Sequence, residues 1–171
     1  MFINFWYAAV PGTAVTDKPC KVRMLGHDFV LFRDSAGAAH CLSDLCCHRG
    51  ASLAIGKRRA DLIVCPQHGW EFDCSGRCVR IPAGTREPES PPKRARVPCY
   101  PVQEKYGMVF AFLGDLGEAE RPAIPDILPE RDEPGAWRVG MISRKKDINY
   151  LRMSENYNDP CHVHYVHEFG R

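Results

Sequence analysis

The chain has 171 residues, of which 44% are hydrophobic and 26% are charged. This composition is typical of a folded globular protein and argues against disorder, collagen and coiled coil. The 23 basic and 21 acidic residues leave a formal net charge of +2, which gives no electrostatic reason to expect nucleic-acid binding.

The apolar segments are too short for a membrane span. The longest one in the middle of the chain covers residues 108–113, whereas a spanning helix needs about 20 apolar residues. The apolar start has no basic residue before it and is interrupted by Asn4, which makes a poor secretory signal. We therefore expect a cytoplasmic protein that binds neither a membrane nor nucleic acid.

The first two thirds of the chain consist of short apolar runs separated by turns. This close spacing predicts a small antiparallel β-sandwich or barrel. The expected strands cover residues 29–32, 39–42, 62–64, 70–72, 78–81 and 106–113. Residues 82–101 contain six prolines and are expected to form an extended loop.

A change in character after residue 115 predicts two domains. We expect a first domain over 1–115, a connector rich in Pro, Asp and Glu over 116–136, and the beginning of a second domain over 137–171. In the last part, 137–148 is predicted to be a strand and 149–157 a helix. Pro160 either starts a second helix, because proline fits a first helical turn, or kinks one continuous helix.

Nine cysteines are many for a cytoplasmic chain, and an odd number argues against a pure disulfide framework. Two pairs of potential metal ligands stand out: Cys46 and His48, then Cys65 and His68 after sixteen intervening residues. Each pair supplies one thiolate and one imidazole, unlike the usual zinc finger. The pattern indicates a [2Fe-2S] cluster with both cysteines on an inner iron and both histidines on an outer iron; zinc or four unrelated buried residues are the alternatives.

The residues around these ligands extend the pattern. The segments 46–50 and 65–73, the following 76–79 and 81–82, and the opening 6–9 resemble the N-terminal part of Rieske non-heme iron oxygenases over about residues 5–113. The resemblance implies a mostly β fold, in which a Rieske-type antiparallel β-sandwich is followed by the incomplete start of an α+β catalytic domain. Ala51 and Gln67 stand where respiratory Rieske proteins carry an extra disulfide, so the oxygenase or soluble-ferredoxin branch is favoured.

The other cysteines are not expected to bind the cluster. Cys47 is interpreted as a neighbour of the ligands. Cys74 and Cys78 are interpreted as free thiols flanking a turn, with a disulfide or a second metal site as alternatives. Cys20, Cys41 and Cys99 are interpreted as small core or surface residues.

A second group of metal-binding residues lies near the C-terminal end. Asp159, His162 and His167 form a D-x-x-H-x-x-x-x-H pattern, which is compatible with a 2-His-1-carboxylate iron site or with a His-rich surface helix. The resemblance implies that His162 and His167 bind a mononuclear Fe(II), that Asp159 connects the two metal centres, and that Asn156 lies near the iron. His164 matches no ligand.

The resemblance also implies a modular mechanism. A reductase or ferredoxin reduces the cluster, and the electrons reach Fe(II) for the reaction of dioxygen with a small, aromatic substrate. The outcome is hydroxylation or demethylation, as in oxygenases of substituted aromatic acids. Transfer is expected between subunits of a homotrimer, where His68 faces Asp159 of the next chain. Three basic clusters, at 57–59, 93–96 and 144–146, are either solvated surface or docking sites for an acidic electron donor.

The family's third iron ligand, a carboxylate, comes from much later in the catalytic domain than Arg171, and Glu168 is poorly placed beside His167. We therefore expect the sequence to be a truncated N-terminal portion that binds the cluster but is inactive alone. The alternative is an electron-transfer protein that keeps only a working Rieske centre.

Overall fold

A computed structural model of the protein describes residues 3–82, 91–127, 140, 142, 144 and 146–167. The chain forms two compact units, Met1–Ile127 and Leu128–Arg171. The predicted antiparallel β-sandwich is confirmed, because the first unit consists of three antiparallel sheets. In the described ranges, no helix is long and apolar enough to cross a membrane.

Eleven strands are assigned within the described part of the first unit. They are β1 Phe5–Pro11, β2 Cys20–Met24, β3 His27–Arg33, β4 Ala39–Ser43, β5 Lys57–Arg59, β6 Leu62–Val64, β7 Glu71–Phe72, β8 Cys78–Arg80, β9 Cys99–Tyr100, β10 Val102–Lys105 and β11 Met108–Leu113. The strand order is β1-β11-β10 in the first sheet, β2-β3-β4-β9 in the second and β5-β6-β7-β8 in the third.

The hairpin turns follow from a few local sequence signals. Asp34 opens the β3–β4 turn, where its Oδ1 accepts hydrogen bonds from the backbone N–H groups of Ala36 and Ala38 at 3.0 and 2.9 Å. The β10–β11 turn is Tyr106-Gly107, with φ values of 55° and 73°, the left-handed pair that a tight hairpin requires. The predicted strand over 106–113 therefore begins at Met108, because its first two residues form the turn.

Strand β3 separates two hydrophobic cores. Successive side chains of a strand point to opposite faces, and all four residues from Phe29 to Phe32 are buried. Val30 and Phe32 pack with Phe72 into the core under the third sheet. Phe29 and Leu31 pack on the other side, in the core shared with β11. One strand thus links the third sheet to the rest of the unit.

The extended loop expected over 82–101 ends before β9 Cys99–Tyr100, which falls within the predicted range, and residues 83–90 lie outside the described range. Ala95 and Val97 are buried in the core under the third sheet. The Cys78 N–H donates to the Ala95 carbonyl at 2.9 Å, and the Val97 N–H donates to the Gly76 carbonyl at 2.8 Å. Backbone pairing holds this proline-rich segment in place, and strand β9 follows it.

The boundary between the two units, after Ile127, falls within the predicted connector over 116–136. Before this boundary the chain packs on the first unit, since the Trp6 indole N–H donates to the Pro122 carbonyl at 2.7 Å. Ile124 is buried. The domain limits themselves stay predictions, and residues 128–136 lie outside the described range.

The second unit contains two short helices, α1 Tyr150–Asn158 and α2 Val163–Val166. The predicted helix is present, and Asn149 caps it by accepting a hydrogen bond from the Leu151 N–H at 2.9 Å. Asp159 has extended backbone angles, so the alternative of one continuous kinked helix is wrong, and α2 begins three residues after Pro160. Half of the predicted strand over 137–148 lies outside the described residues, and its described residues are not assigned to a strand.

Gly56 lets two chain segments approach closely. A Cβ at this position would lie 2.2 Å from the Val64 carbonyl oxygen and 3.0 Å from the Leu53 carbonyl oxygen. Both are backbone atoms that cannot move aside cheaply. Gly56→Ala should therefore lower the free energy of unfolding by about 1–3 kcal/mol, measured by chemical denaturation.

Gly117→Ala is the matched control for this prediction. Gly117 has an ordinary φ of −60°, and a Cβ there would meet only the end of the Glu120 side chain at 3.4 Å. Equal unfolding midpoints for the two variants would contradict the proposed close approach.

Candidate metal centres

Two loops with the same backbone hydrogen bonding carry the first group of predicted ligands. We call residues 46–51, between β4 and β5, the first loop, and residues 65–70, between β6 and β7, the second loop. In each loop the cysteine N–H donates to the carbonyl five residues later, Ala51 or Trp70, at 2.9 and 2.8 Å. Each cysteine carbonyl also accepts from the glycine N–H four residues later, at 2.8 and 3.0 Å. The loops are therefore two copies of one backbone motif.

The glycine of each loop adopts the left-handed conformation that closes the motif. Gly50 and Gly69 both have φ of 71°, which other residues adopt at a cost. At Gly69 a Cβ would also lie 3.0 Å from Pro82. The need for a left-handed backbone conformation explains why both loops have a glycine four residues after the cysteine.

The two predicted thiol ligands meet in the interior. Cys46 and Cys65 are 3% and 2% exposed and belong to the core under the third sheet. Burial raises the pKa of the Cys46 thiol to about 11, and hydrogen bonding with Cys65 adds to this, while the His48 backbone N–H opposes it. Two adjacent buried thiols are a suitable anchor for a metal that binds thiolate, because the metal would deprotonate them.

The two predicted imidazole ligands lie beside each other at the surface. The ring centroids of His48 and His68 are 4.6 Å apart. His48 also stacks on Trp70, with centroids 4.5 Å apart and planes 6° apart. Its Nδ1 atom is buried without a hydrogen-bond partner, an arrangement that a metal bond would satisfy. Burial and the neighbouring His68 and Arg49 lower the pKa of His48, which favours the neutral form that binds metal.

The geometry fits a cluster with two unlike irons. All four predicted ligands come from the two loops. The two thiols lie at the buried end of the loops, and the two imidazoles lie at the exposed end. Cys47 is exposed. Cys78 is buried and its Sγ contacts the Arg80 carbonyl at 3.5 Å.

Two buried carboxylates support these loops, and no motif in the sequence pointed to their roles. Asp44 is 1% exposed; its Oδ2 accepts from the Ser52 hydroxyl at 2.6 Å and its Oδ1 from the Ala54 N–H at 2.7 Å. Lys21 lies 3.2 Å away. Asp44 thus joins the residues before and after the first loop.

Glu71 has the corresponding role after the second loop. It is 2% exposed and its Oε1 accepts hydrogen bonds from Arg59 and Arg80. The basic residues 57–59, expected to be solvated surface or a docking site, therefore form strand β5, and Arg59 neutralises a buried carboxylate. Burial of an unpaired charge would be costly, which explains two arginines on one acid.

The second unit brings together part of the other predicted site. The rings of His162 and His167 have centroids 5.5 Å apart, and both residues are half-buried, whereas His164 between them is exposed. Asp159 Oδ2 lies 3.5 Å from His162 Nδ1, which is buried and has no hydrogen-bond partner. Asn156 is exposed on α1. Glu168 lies outside the described residues.

The first unit is thus an antiparallel β domain of the iron–sulfur class, in which two paired loops supply two cysteines and two histidines. A model of the Rieske [2Fe-2S] domain matches residues 5–101, which is more than half of the chain. The chain belongs to the Rieske [2Fe-2S] domain family.

Several known oxygenase components are similar to this chain. It is 38% identical to the phenoxybenzoate dioxygenase subunit alpha of Ectopseudomonas oleovorans, over 96% of this chain and 42% of that protein. It is 34% identical to the iron-sulfur subunit of the toluene-4-sulfonate monooxygenase system of Comamonas testosteroni, over 98% and 47%. The chain therefore spans less than half the length of these relatives.

The solved structures agree with the sequence relatives. Dicamba monooxygenase bound to dicamba superposes with a TM-score of 0.82 at 33% identity, over 96% of this chain and 48% of that one. The predicted resemblance to Rieske oxygenase components is confirmed. The individual ligand assignments stay predictions.

The buried Asp44 provides a test of how the first loop is held. Asp44→Asn should lower the free energy of unfolding by about 1–3 kcal/mol, because an amide cannot keep all the acceptor positions and turns N–H groups towards Lys21. Chemical denaturation of the two proteins measures this difference.

Asp28→Asn is the matched control for Asp44→Asn. Asp28 pairs with the same Lys21 at 3.1 Å, but its side chain is 25% exposed, so water replaces the lost contact. A loss in the control as large as the loss at Asp44 would show that the Lys21 ion pair, and not the support of the loop, is responsible.

Proposed function

We propose that this chain is part of a Rieske-type non-heme iron oxygenase that hydroxylates or demethylates a small aromatic substrate with dioxygen. The observation that carries the proposal is the pair of matched loops, which place two buried thiols and two surface imidazoles together. In this proposal Cys46 and Cys65 hold the inner iron of a [2Fe-2S] cluster, and His48 and His68 hold the outer iron.

The ligand set defines what the first unit does. When bound, a cluster with two imidazole ligands accepts and donates single electrons at a higher potential than an all-cysteine cluster. The core around Cys46 and Cys65 excludes water from the inner iron. Trp70 fixes the ring plane of His48 by stacking, so Nδ1 points into the site. His68 is exposed and is proposed as the point where electrons leave.

The second unit is proposed to contribute ligands to a mononuclear Fe(II). His162 and His167 supply two imidazoles, and a 2-His-1-carboxylate site, which activates dioxygen when iron is bound, needs one carboxylate more. Asp159 orients His162 through Nδ1, as carboxylates behind histidine ligands commonly do. Asn156 is proposed to lie near this iron in the assembled enzyme.

Protein partners follow from the relatives and from the surface near the loops. The similar proteins are named as subunits or components of larger systems, which supports a separate reductase or ferredoxin as electron donor. Leu45 and Ile55 flank the first loop and are 59% and 74% exposed, as expected for apolar side chains that a partner covers. We further propose a homotrimer in which Asp159 meets His68 of the next chain.

An electron-transfer protein that binds only the cluster is the second candidate. The observation that favours it is that four cluster ligands are in place, whereas the described part of the second unit offers two histidines and one adjacent carboxylate. Counting iron and sulfide separates the candidates. Two irons per two sulfides indicate the cluster alone, and three irons per two sulfides indicate that the second site is also filled.

The cluster ligands are tested by neighbouring cysteines. Cys46→Ala should abolish the iron–sulfur absorption and spin-resonance signals, because it removes an anionic ligand of the inner iron. Cys47→Ala is the matched control and should keep two irons and two sulfides per chain, since Cys47 is exposed. Loss of the cluster in the control, or its survival in Cys46→Ala, would contradict the ligand set.

The second site is tested by its two histidines, with His164 as the control. In cluster-loaded protein, His162→Ala and His167→Ala should each weaken the binding of additional Fe(II) at least about tenfold, measured by competition with a chromophoric chelator. His164→Ala, the control between them, should bind Fe(II) within about twofold of the parent. Equal Fe(II) affinity in all three variants would refute the assignment and leave the electron-transfer candidate.

A further inference from the structure

A third group of metal-binding side chains lies in the first unit, separate from the two loops. One donor atom each of Asp34, His40 and Cys74 lies within 4.8 Å of the other two, the one such mononuclear group found in the described ranges. His40 Nε2 and Asp34 Oδ2 are 2.8 Å apart. All three residues are half-buried. A metal ion can therefore reach the three donor atoms from solvent, while water competes less for them than at the surface.

Each donor is held by its place in the fold. Asp34 Oδ1 is occupied by the N–H groups of the β3–β4 turn, so Oδ2 is the oxygen that faces His40. The His40 ring packs on Phe32, with centroids 5.5 Å apart. Cys74 follows β7, and its Sγ lies 3.5 Å from the Asp61 carbonyl oxygen. The three groups therefore come from a hairpin of the second sheet and a turn of the third sheet.

The electrostatics at this place favour a cation. Burial raises the pKa of the Cys74 thiol, and the negative charges of Asp34, Asp61 and Asp73 raise it further. Arg58 lies 3.8 Å from Asp61, and Arg77 lies 3.3 Å from Asp73. The hydrogen bond with His40 lowers the pKa of Asp34, so this carboxylate is ionised and ready to bind metal.

We propose that Asp34, His40 and Cys74 bind one divalent cation of the zinc class. Carboxylate, imidazole and thiolate together are typical zinc ligands, at about 2.0–2.3 Å from the metal, and the thiolate disfavours calcium and magnesium. The metal takes the place of the proton between His40 and Asp34, which moves to His40 Nδ1, and the Cys74 thiol releases one proton to solvent. The fourth position faces solvent.

The proposed metal would cross-link two segments of the first unit. It joins the β3–β4 turn of the second sheet to the turn that follows β7. The Ser35 backbone N–H of the β3–β4 turn also donates to Asp61, in the turn between β5 and β6, at 2.7 Å. A cross-link between segments distant in sequence stabilises the folded state because the unfolded chain offers no formed site. This assignment also separates Cys74 from Cys78, which sequence alone left as a possible pair.

The test uses the cluster-loaded chain carrying His162→Gln and His167→Gln, so that these histidines do not take up zinc. After equilibration with zinc chloride and gel filtration, elemental analysis should find one zinc per chain beside two irons. Adding Cys74→Ser or His40→Gln should weaken zinc binding at least about tenfold, because each removes a ligand. Zinc should raise the melting temperature of the parent but not of these variants.

Cys20→Ser and His27→Gln are the matched controls, since Cys20 is half-buried like Cys74 and His27 lies on β3, the strand that pairs with the β4 strand of His40. Both should keep the zinc and the thermal shift. Asp34→Asn retains the turn's acceptor oxygen and should weaken zinc while leaving the iron content unchanged. Absence of zinc from the parent, or a zinc affinity in Cys74→Ser and His40→Gln equal to that of the parent, would overturn the proposal whatever becomes of the iron sites.

Discussion

The close approach of Cys46 and Cys65 is the constraint on which the rest of the first unit depends. Two thiols must be brought together in a dry core, at the ends of loops that come from different sheets. The repeated backbone hydrogen bonds give both loops the same shape. Asp44 and Glu71 then fix the loops through buried, fully partnered carboxylates. Removing one hydrogen-bond partner from such a carboxylate leaves an unpaired charge in the apolar interior. The contacts that support the loops are therefore cooperative, and their effects on stability are not a sum of independent contributions.

The two cores meet at β3, and this arrangement explains how a small third sheet can be rigid. The third sheet has strands of only two or three residues, too short to be stable by backbone pairing alone. Phe32 and Phe72 cover its inner face, while Phe29 and Leu31 on the opposite side of β3 are held by β11. The third sheet, which carries the loops, therefore owes its stability largely to packing against the other two sheets.

The strands around the proposed ligands and the helix over 149–157 could be predicted from the sequence, because these features depend on local spacing. It did not predict the features that depend on distant partners. Lys57–Arg59 has the composition of a solvated surface, and only the fold shows that β5 exists to pair with β6 and to place Arg59 on Glu71. Ala95 and Val97 sit in a proline-rich segment without periodicity, and their burial arises from pairing with Cys78 and Gly76. Burial of Asp44 had no signal either, since an acid before a loop is usually solvated.

The four proposed ligands are unequally buried, so the cysteine end and the histidine end of the proposed cluster site differ in their exposure to solvent. The thiols are in the core, His48 is half-buried against Trp70, and His68 is exposed. An added electron is stabilised better where water and polar groups surround the iron than in an apolar interior. In the proposed assignment, the charge that changes on reduction is therefore nearest the imidazole end. A partner that exchanges electrons with the proposed cluster would therefore approach that same end, where a carboxylate could hydrogen-bond an imidazole N–H without competing for the thiols.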